Sequence, residues 1–184
     1  MTAIRRLRPS EVSRAYDVAS LVNDAYRAAQ EQLFTEPTPR LSVESVSRII
    51  ADDEFVVYDV DERILGAVLQ RDTSLRVGFF GVLAVQPDSA GSGIARALLD
   101  FVESQALARG VEIMELDLLL PDTPTPHQHR LKEWYERRGY VAGSSRDFRD
   151  VEPEAAQYLR YPTQLVRYSK NLRLTNDVTS KLTF

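Results

Sequence analysis

The chain has 184 residues, of which 43% are hydrophobic and 27% charged, which is typical of a globular protein and excludes a disordered or fibrous one. Cysteine is absent, which excludes disulfides, thiolate nucleophiles and cysteine-ligated metal sites. The 27 acidic and 23 basic residues give a net charge of −4, which argues against a nucleic-acid partner. No targeting or bilayer-spanning segment is visible, so the sequence predicts a cytoplasmic protein without a membrane partner.

The predicted elements follow the order β-α-α-β-β-β-α-β-α-β-β, which indicates an α/β fold with a mixed sheet and helices on its faces. Short apolar or alternating runs predict strands at residues 3–7, 54–60, 63–72, 76–85, 111–120, 140–146 and 165–172. Helical spacing of apolar residues predicts helices at residues 10–30, 42–50, 91–108 and 127–138. Asp61 and Glu62 predict a two-residue hairpin turn. No linker is visible, so we expect a single domain over residues 1–172 and a tail at residues 173–184.

The most informative stretch joins the strand at residues 76–85 to the helix at residues 91–108 through Gly91-Ser92-Gly93. This arrangement points several free backbone N–H groups, and the positive end of a helix, at one place. It therefore predicts an anion site, for which phosphate is a common ligand. A P-loop would require a lysine here, and a dinucleotide fingerprint would require a third small residue where the chain has Arg96.

The same stretch, read as Ala90-Gly91-Ser92-Gly93-Ile94-Ala95, resembles the acyl-CoA motif of the GNAT superfamily of N-acyltransferases. A later family motif, a tyrosine-bearing helix that ends in glycine and an aromatic residue, is matched by residues 134–140. The element order agrees from residue 4 to residue 172. The resemblance implies a GNAT-like fold, with a central, mostly antiparallel sheet, a splayed parallel pair of strands and helices on both faces.

By this resemblance the chain is an N-acetyltransferase that moves an acetyl group from acetyl-CoA to a primary amine, and it requires no metal. The strand end would pair with the pantetheine arm, and the amides of the glycine turn would hold the pyrophosphate. Ala90 is assigned to the family's Gln or Arg position, and Gln128 stands where many members have Asn. The cofactor-binding residues implied are Leu83, Ala84, Val85, Ala90, Gly91, Ser92, Gly93, Ile94, Ala95, Arg96 and Gln128.

Two residues are candidates for moving protons. Tyr135 matches the tyrosine that, in the family, protonates the departing thiolate of CoA. Asp117 lies seven residues after Gly110, where some members place a catalytic carboxylate that takes the proton of the amine. Glu115 shares a strand face with Asp117 because strand side chains alternate, so Asp117, Glu115 or a chain of waters remains open as the base.

Two other functions remain open. Ala90, together with Phe79 at a position that is acidic in many members, motivates an acyl-CoA sensor or interaction module without turnover. A dinucleotide-binding α/β domain is the less favoured alternative. The acceptor, a small-molecule or protein amine, would lie between residues 26–41 and residues 147–162, whose carboxylates are able to attract a cation. A homodimer is an open expectation, since residues 176–184 are able to pair with the sheet of a neighbouring molecule.

Overall fold

The computed structural model describes residues 2–36 and 39–174. Contacts divide the chain into two compact units, one of Met1–Arg27 with Pro39–Glu112 and one of Ala28–Thr38 with Ile113–Phe184. The long helix α1 (Ala15–Leu33) contributes to both. The single domain expected over residues 1–172 stays a prediction. The dimer contact expected from residues 176–184 lies outside the described residues.

The first unit contains a four-stranded antiparallel sheet in the order β1-β2-β3-β4. Its strands are β1 (Thr2–Arg6), β2 (Phe55–Val60), β3 (Arg63–Asp72) and β4 (Val77–Val85). Its complete helices are α2 (Val43–Ala51) and α3 (Ile94–Ala108). The predicted hairpin between β2 and β3 is confirmed, because Asp61 and Glu62 have positive φ angles of 47° and 64°, as a tight two-residue hairpin turn requires.

The core of the first unit forms because each element buries one apolar face. The α3 stripe predicted from the sequence is confirmed, since its members are at most 6% exposed: Ile94, Leu98, Leu99, Val102 and Ala106. The helix α1 buries Val18, Leu21 and Val22 completely. Apolar side chains from β2 and β3 complete this core. Burial of apolar surface is the main force that fixes α3 at the end of β4.

The second unit contains a three-stranded antiparallel sheet in the order β5-β7-β6. Its strands are β5 (Ile113–Pro121), β6 (Val141–Asp147) and β7 (Thr163–Asn171). Its helices are α4 (Pro126–Arg137) and the short α5 (Phe148–Val151) and α6 (Pro153–Ala156). Tyr140 and Tyr168, each 1% exposed, are its largest fully buried side chains.

All seven strands and four long helices of the sequence analysis are present, with three differences at their ends. A 3₁₀ segment at Pro9–Arg14 precedes α1, which runs on to Leu33. The helix α3 begins at Ile94, because Gly93 has a left-handed backbone. The connection between β6 and β7 forms α5 and α6. No helix in the described part of the chain is both long and apolar enough to cross a membrane.

Candidate functional site

Strand β4 is distorted shortly before it ends. Gly81 pairs with Leu69 of β3, and Ala84 pairs with Ala67. Between these pairs, β4 has two residues, Val82 and Leu83, opposite the single residue Val68. The extra residue makes a β-bulge, and Val82 takes a φ of 53°, which β-branched residues rarely adopt. Bulges and strained backbone are concentrated at functional sites because they redirect backbone groups. The sequence analysis missed this feature, since Val82 is an ordinary strand residue by type.

Tyr26 of α1 contacts this bulge. Its hydroxyl donates a hydrogen bond to the carbonyl oxygen of Leu83 at 3.4 Å. Burial raises the pKa of the Tyr26 phenol, and the guanidinium of Arg40, which lies 5.8 Å from the ring centre, acts in the opposite direction. A phenol that stays protonated remains a donor, so Tyr26 helps to fix the peptide group that follows Leu83.

The residues predicted to pair with the pantetheine arm, Leu83, Ala84 and Val85, are the last three of β4. Ala84 is 3% exposed and its side chain belongs to the core, so only its backbone is available to a ligand. Ala84 and Val85 pair with Ala67 and Gly66 of β3. The direct contact of these three residues with CoA stays a prediction.

A 3₁₀ turn at Pro87–Ser89 and two glycines connect β4 to α3. Gly91 and Gly93 have φ angles of 77° and 89°, the left-handed region that glycine adopts without steric strain. No described atom lies within 4 Å of the position where a side chain would begin at either glycine. The space in front of the turn is therefore open to a ligand.

Backbone donors converge on this open space. The N–H groups of residues 94–96 belong to the first turn of α3, and the first N–H bonded back into the helix is that of Ala97, which reaches the Gly93 carbonyl at 3.0 Å. Ser92 is the exception among the predicted amides, because its N–H donates to the carbonyl of Ser89 at 3.3 Å. Free donors and the positive end of α3 are the features that an anion site requires, and binding of a phosphate here stays a prediction.

Counting positions along the family motif corrects one prediction. The family motif, Gln/Arg-x-x-Gly-x-Gly/Ala, has its first position three residues before the first glycine, which is Asp88 and not Ala90. Both residues are exposed. Arg96 is also exposed, and in residues 2–36 and 39–174 it forms no ion pair. Its guanidinium is thus available to a phosphate beside the amides.

Gly66 of β3 sets how closely α3 approaches the sheet. A methyl group at this position would lie 2.6 Å from Cγ2 of Ile94 and 2.9 Å from Cδ1 of Leu98, closer than carbon atoms pack. Both of these side chains are buried. Gly66 therefore allows the first turn of α3 to pack close to the sheet. The sequence alone does not show this role, because it depends on contacts between β3 and α3.

Tyr135 lies on α4 in the second unit and is 5% exposed. Its ring makes edge contacts with Trp134 and Tyr140, at centroid distances of 4.9 and 5.8 Å. Its carbonyl accepts the N–H of Tyr140 at 3.1 Å, in a turn that Gly139 permits with a φ of 88°. The Gly-aromatic end of the motif thus orients the ring of Tyr135, whose role as an acid stays a prediction.

Gln128, the predicted CoA contact in the second unit, has a local partner. Thr125 caps α4 by accepting the N–H of Gln128, and the Gln128 side-chain oxygen contacts the Thr125 hydroxyl in return. The two contacts hold the Gln128 side chain against the N-cap residue of α4. Gln128 is 3% exposed. The structure accounts for its burial through helix capping, and its contact with CoA stays a prediction.

Asp117 and Glu115 share one face of β5, as predicted, and both contact Arg167 of β7. The Arg167 Nε donates to Asp117 Oδ1 at 2.5 Å, and its Nη2 donates to Asp117 Oδ2 at 3.0 Å. Arg146 of β6 adds a bond to Oδ2 at 3.2 Å. The hydrogen bond with Asp117 is the largest cause that raises the pKa of Arg167. Both oxygens of Asp117 therefore accept hydrogen bonds from arginines, and its role as the proton acceptor stays a prediction.

The two histidines of the chain lie in the first turn of α4. Burial, followed by the charge of Arg130, lowers the pKa of His127, so its imidazole is neutral at pH 7. His129 lies 3.2 Å from Glu133. Across residues 2–36 and 39–174, no group of three or more potential metal ligands comes together.

The two connections predicted to surround the acceptor meet within the second unit. The Thr35 N–H donates to the Tyr158 carbonyl at 2.7 Å, and the Arg160 N–H donates to the Leu33 carbonyl at 2.8 Å. Phe34 forms an isolated bridge with Leu159. Residues 31–36 and 158–160 thus form one continuous wall, although binding of an acceptor there stays a prediction.

Comparisons with known proteins agree with these features. The acetyltransferase (GNAT) domain family matches residues 51–142, which is half of the chain. This match includes the bulge, the glycine turn and the Tyr135 helix. No functionally curated protein matches the chain.

Solved structures share the fold at low sequence identity. PaiA N-acetyltransferase from Thermoplasma acidophilum, in complex with coenzyme A, has a TM-score of 0.69 and 11% identity over 93% of this chain and 99% of its own. An aminoglycoside 6'-N-acetyltransferase complexed with coenzyme A has a TM-score of 0.67 and 13% identity over 92% and 97%.

N-acetylglutamate synthase from Neisseria gonorrhoeae, complexed with coenzyme A and N-acetyl-glutamate, has a TM-score of 0.61 and 17% identity over 94% of this chain. The chain spans 35% of the length of that enzyme. These likenesses confirm the predicted α/β, GNAT-like fold.

Proposed function

Because the chain belongs to the GNAT acetyltransferase family, we propose that it is an acetyl-CoA-dependent N-acetyltransferase that acts on a primary amine. The observation that carries this proposal is the glycine turn between the bulged end of β4 and α3. It combines a redirected strand backbone with free amides, an open space and the cation of Arg96, which has no ion-pair partner among the described residues.

Within this proposal, the amides of residues 91–96 hold the pyrophosphate of CoA. The Ser92 amide contributes least, because it already donates a hydrogen bond to the Ser89 carbonyl. Arg96 supplies a positive charge, in a turn where Asp88 has replaced the Gln or Arg of the motif. The backbone of residues 83–85 binds the pantetheine arm as an added strand would. Solved structures of the same fold are bound to coenzyme A, which supports CoA as the ligand.

The proposed chemistry is a direct transfer, since the chain has no cysteine to form an acyl-thiol enzyme. The amine nitrogen attacks the thioester carbonyl carbon and forms the C–N bond of a tetrahedral intermediate, whose oxygen is stabilised by a backbone N–H such as that of Leu83 or Val85. The C–S bond then breaks, and the thiolate of CoA takes a proton from Tyr135. The amine gives up its proton to Asp117, directly or through water, and Tyr135 is reprotonated by solvent.

The test of this function is acetyl-dependent thiol release with a panel of amines, combined with calorimetry of acetyl-CoA, CoA and NAD. We expect binding of acetyl-CoA and CoA, no binding of NAD, and release of free CoA only when an acceptor amine is present. Binding of NAD without CoA would refute the proposal and support a dinucleotide-binding domain. Binding of CoA without turnover of any amine would support the sensor, which Asp88 and Phe79 favour as the second candidate.

Asp117→Asn tests the proton acceptor. A lysine-like amine has a pKa near 10.4, so help with its proton matters most at neutral pH and least at alkaline pH. We expect kcat to fall about tenfold or more near pH 7 and to approach the wild-type value above about pH 9.5, as measured by steady-state pH profiles.

Glu115→Gln is the matched control for Asp117→Asn, because Glu115 contacts the same Arg167 from the same strand face. If Asp117 is the acceptor, Glu115→Gln leaves the pH profile unchanged. Equal losses in the two variants, independent of pH, would mean that the ion-pair cluster only supports the sheet.

A further inference from the structure

The second unit contains a cavity that the proposed chemistry does not use. Its volume is about 240 Å³, and its lining residues are Arg149, Ala156, Leu159, Arg160, Tyr161 and Pro162. Four of these side chains are apolar or aromatic, two are cationic, and none is a carboxylate. Ligand pockets are mostly apolar with a few placed polar groups that fix orientation. This composition fits a small group with an apolar body and a negative charge.

Arg160 is held in place without losing its charge. Its Nε donates to the backbone carbonyls of Phe34 at 2.9 Å and Glu31 at 3.2 Å. Both acceptors are neutral, and in residues 2–36 and 39–174 no carboxylate forms an ion pair with Arg160. Its two terminal amino groups are therefore available as a pair of donors, the geometry that matches a carboxylate or phosphate.

Arg149 adds a second positive charge. Its Nε forms a long ion pair with Oδ1 of Asp147 at 3.8 Å, beyond hydrogen-bond distance, and the same oxygen caps α5 by accepting the Arg149 N–H at 2.9 Å. The cavity wall is fixed from beneath by Phe148, which is buried and makes an edge contact with Phe34 at 6.2 Å. Two arginines thus line one cavity.

We infer that this cavity binds an anionic oxygen group carried by the acceptor, so that the substrate class is an amine that also bears a carboxylate, such as an amino acid or short peptide. This inference rests on the proposed function and adds the acceptor to it. It differs from the expectation that carboxylates of residues 26–41 and 147–162 attract a cation, which stays a prediction, because two arginines line this cavity.

The test uses acceptors matched in pairs at saturating acetyl-CoA. A dipeptide with a free C-terminal carboxylate is compared with its C-terminal amide, in which the reacting amine is hardly altered. Phosphoethanolamine and ethanolamine form a second pair that distinguishes phosphate from carboxylate. We expect the dipeptide to have a kcat/KM about tenfold or more above its amide, the size that a charge-assisted hydrogen bond supplies.

Variants of the two arginines test whether the preference for the carboxylate arises in this cavity. Arg160→Gln and Arg149→Gln should each reduce the acid-to-amide ratio of kcat/KM severalfold while activity on the amide persists. Arg149→Gln is the safer variant for folding, because the Arg149 guanidinium makes no hydrogen bond in the described part of the chain. Arg76→Gln, a charge change at an exposed residue just before β4, should leave the ratio unchanged.

The outcomes separate this inference from the proposed function. Acetylation of acid and amide at equal kcat/KM, or a ratio that neither arginine variant alters, would overturn the inference and leave the function intact. A preference for phosphoethanolamine with none for the dipeptide would overturn the carboxylate assignment. If no amine is acetylated, binding of the dipeptide is measured by calorimetry. Binding that is lost in Arg160→Gln would support the inferred anion-binding cavity, and absence of binding would refute it.

Discussion

Gly93→Val is expected to weaken CoA binding about 10- to 100-fold, the loss associated with one charge-assisted hydrogen bond, while the protein remains folded. A branched side chain at Gly93 would occupy the open space in front of the first turn of α3, where the proposed pyrophosphate lies. It would also strain the backbone, because Gly93 has a φ of 89°. Calorimetric titration with CoA measures the affinity, and thermal unfolding measures the strain.

Gly110→Val separates these two effects. Gly110 has a φ of 90°, and no described atom lies within 4 Å of where its side chain would begin, so a valine meets the same strain in equally open surroundings. It lies just beyond the carboxyl end of α3, away from the free amides. We expect similar destabilisation, about 1–3 kcal/mol, in both variants and loss of CoA affinity in Gly93→Val alone. Unchanged CoA affinity in folded Gly93→Val would refute the phosphate placement.

Local signals in the sequence were enough to predict the secondary structure. The hairpin at Asp61 and Glu62, the stripe of α3 and its glycine-marked end each follow from residues within a few positions of one another. The exact start of α3 was less predictable, because the left-handed conformation of Gly93 delays the first helical residue to Ile94, three residues after Gly91. Local turn chemistry decided that boundary.

The features that shape the site depend on residues far apart in the sequence. The bulge at Val82 is defined by how β4 pairs with β3. The Leu83 carbonyl in this bulge accepts a hydrogen bond from Tyr26, which lies 57 residues away in the sequence. Arg167 contacts Asp117 across 50 residues. A strand carboxylate by itself gives no sign of such a partner, so the sequence identified Asp117 but not the donors that occupy its oxygens.

The cavity beside Arg160 shows the same dependence. In the sequence, the segment at residues 147–162 contains more carboxylates than arginines, so its composition predicts an acidic surface. Folding places Arg160 against the carbonyls that end α1, and Asp147 is used to cap α5. Which side chains line the cavity therefore depends on the fold and cannot be read from the composition of the loop.

Tyr135→Phe is expected to lower kcat about 100-fold with little change in CoA affinity. The substitution keeps the ring and its edge contacts with Trp134 and Tyr140, and it removes only the hydroxyl that would protonate the departing thiolate. An acid that acts mainly in the transition state affects kcat and kcat/KM together. Thiol release under saturating acetyl-CoA measures kcat, and calorimetry measures the affinity.

Tyr140→Phe provides the control for Tyr135→Phe, because Tyr140 is 1% exposed and stacks edge-on against the same ring. Loss of either buried hydroxyl affects stability by a comparable amount, about 1–2 kcal/mol, which thermal unfolding reports. Only Tyr135→Phe should reduce turnover, and the loss should be greatest for acyl thioesters whose thiols are the poorest leaving groups. Wild-type turnover in Tyr135→Phe would show that the thiolate leaves without this acid, and that positioning of the amine and thioester alone drives the transfer.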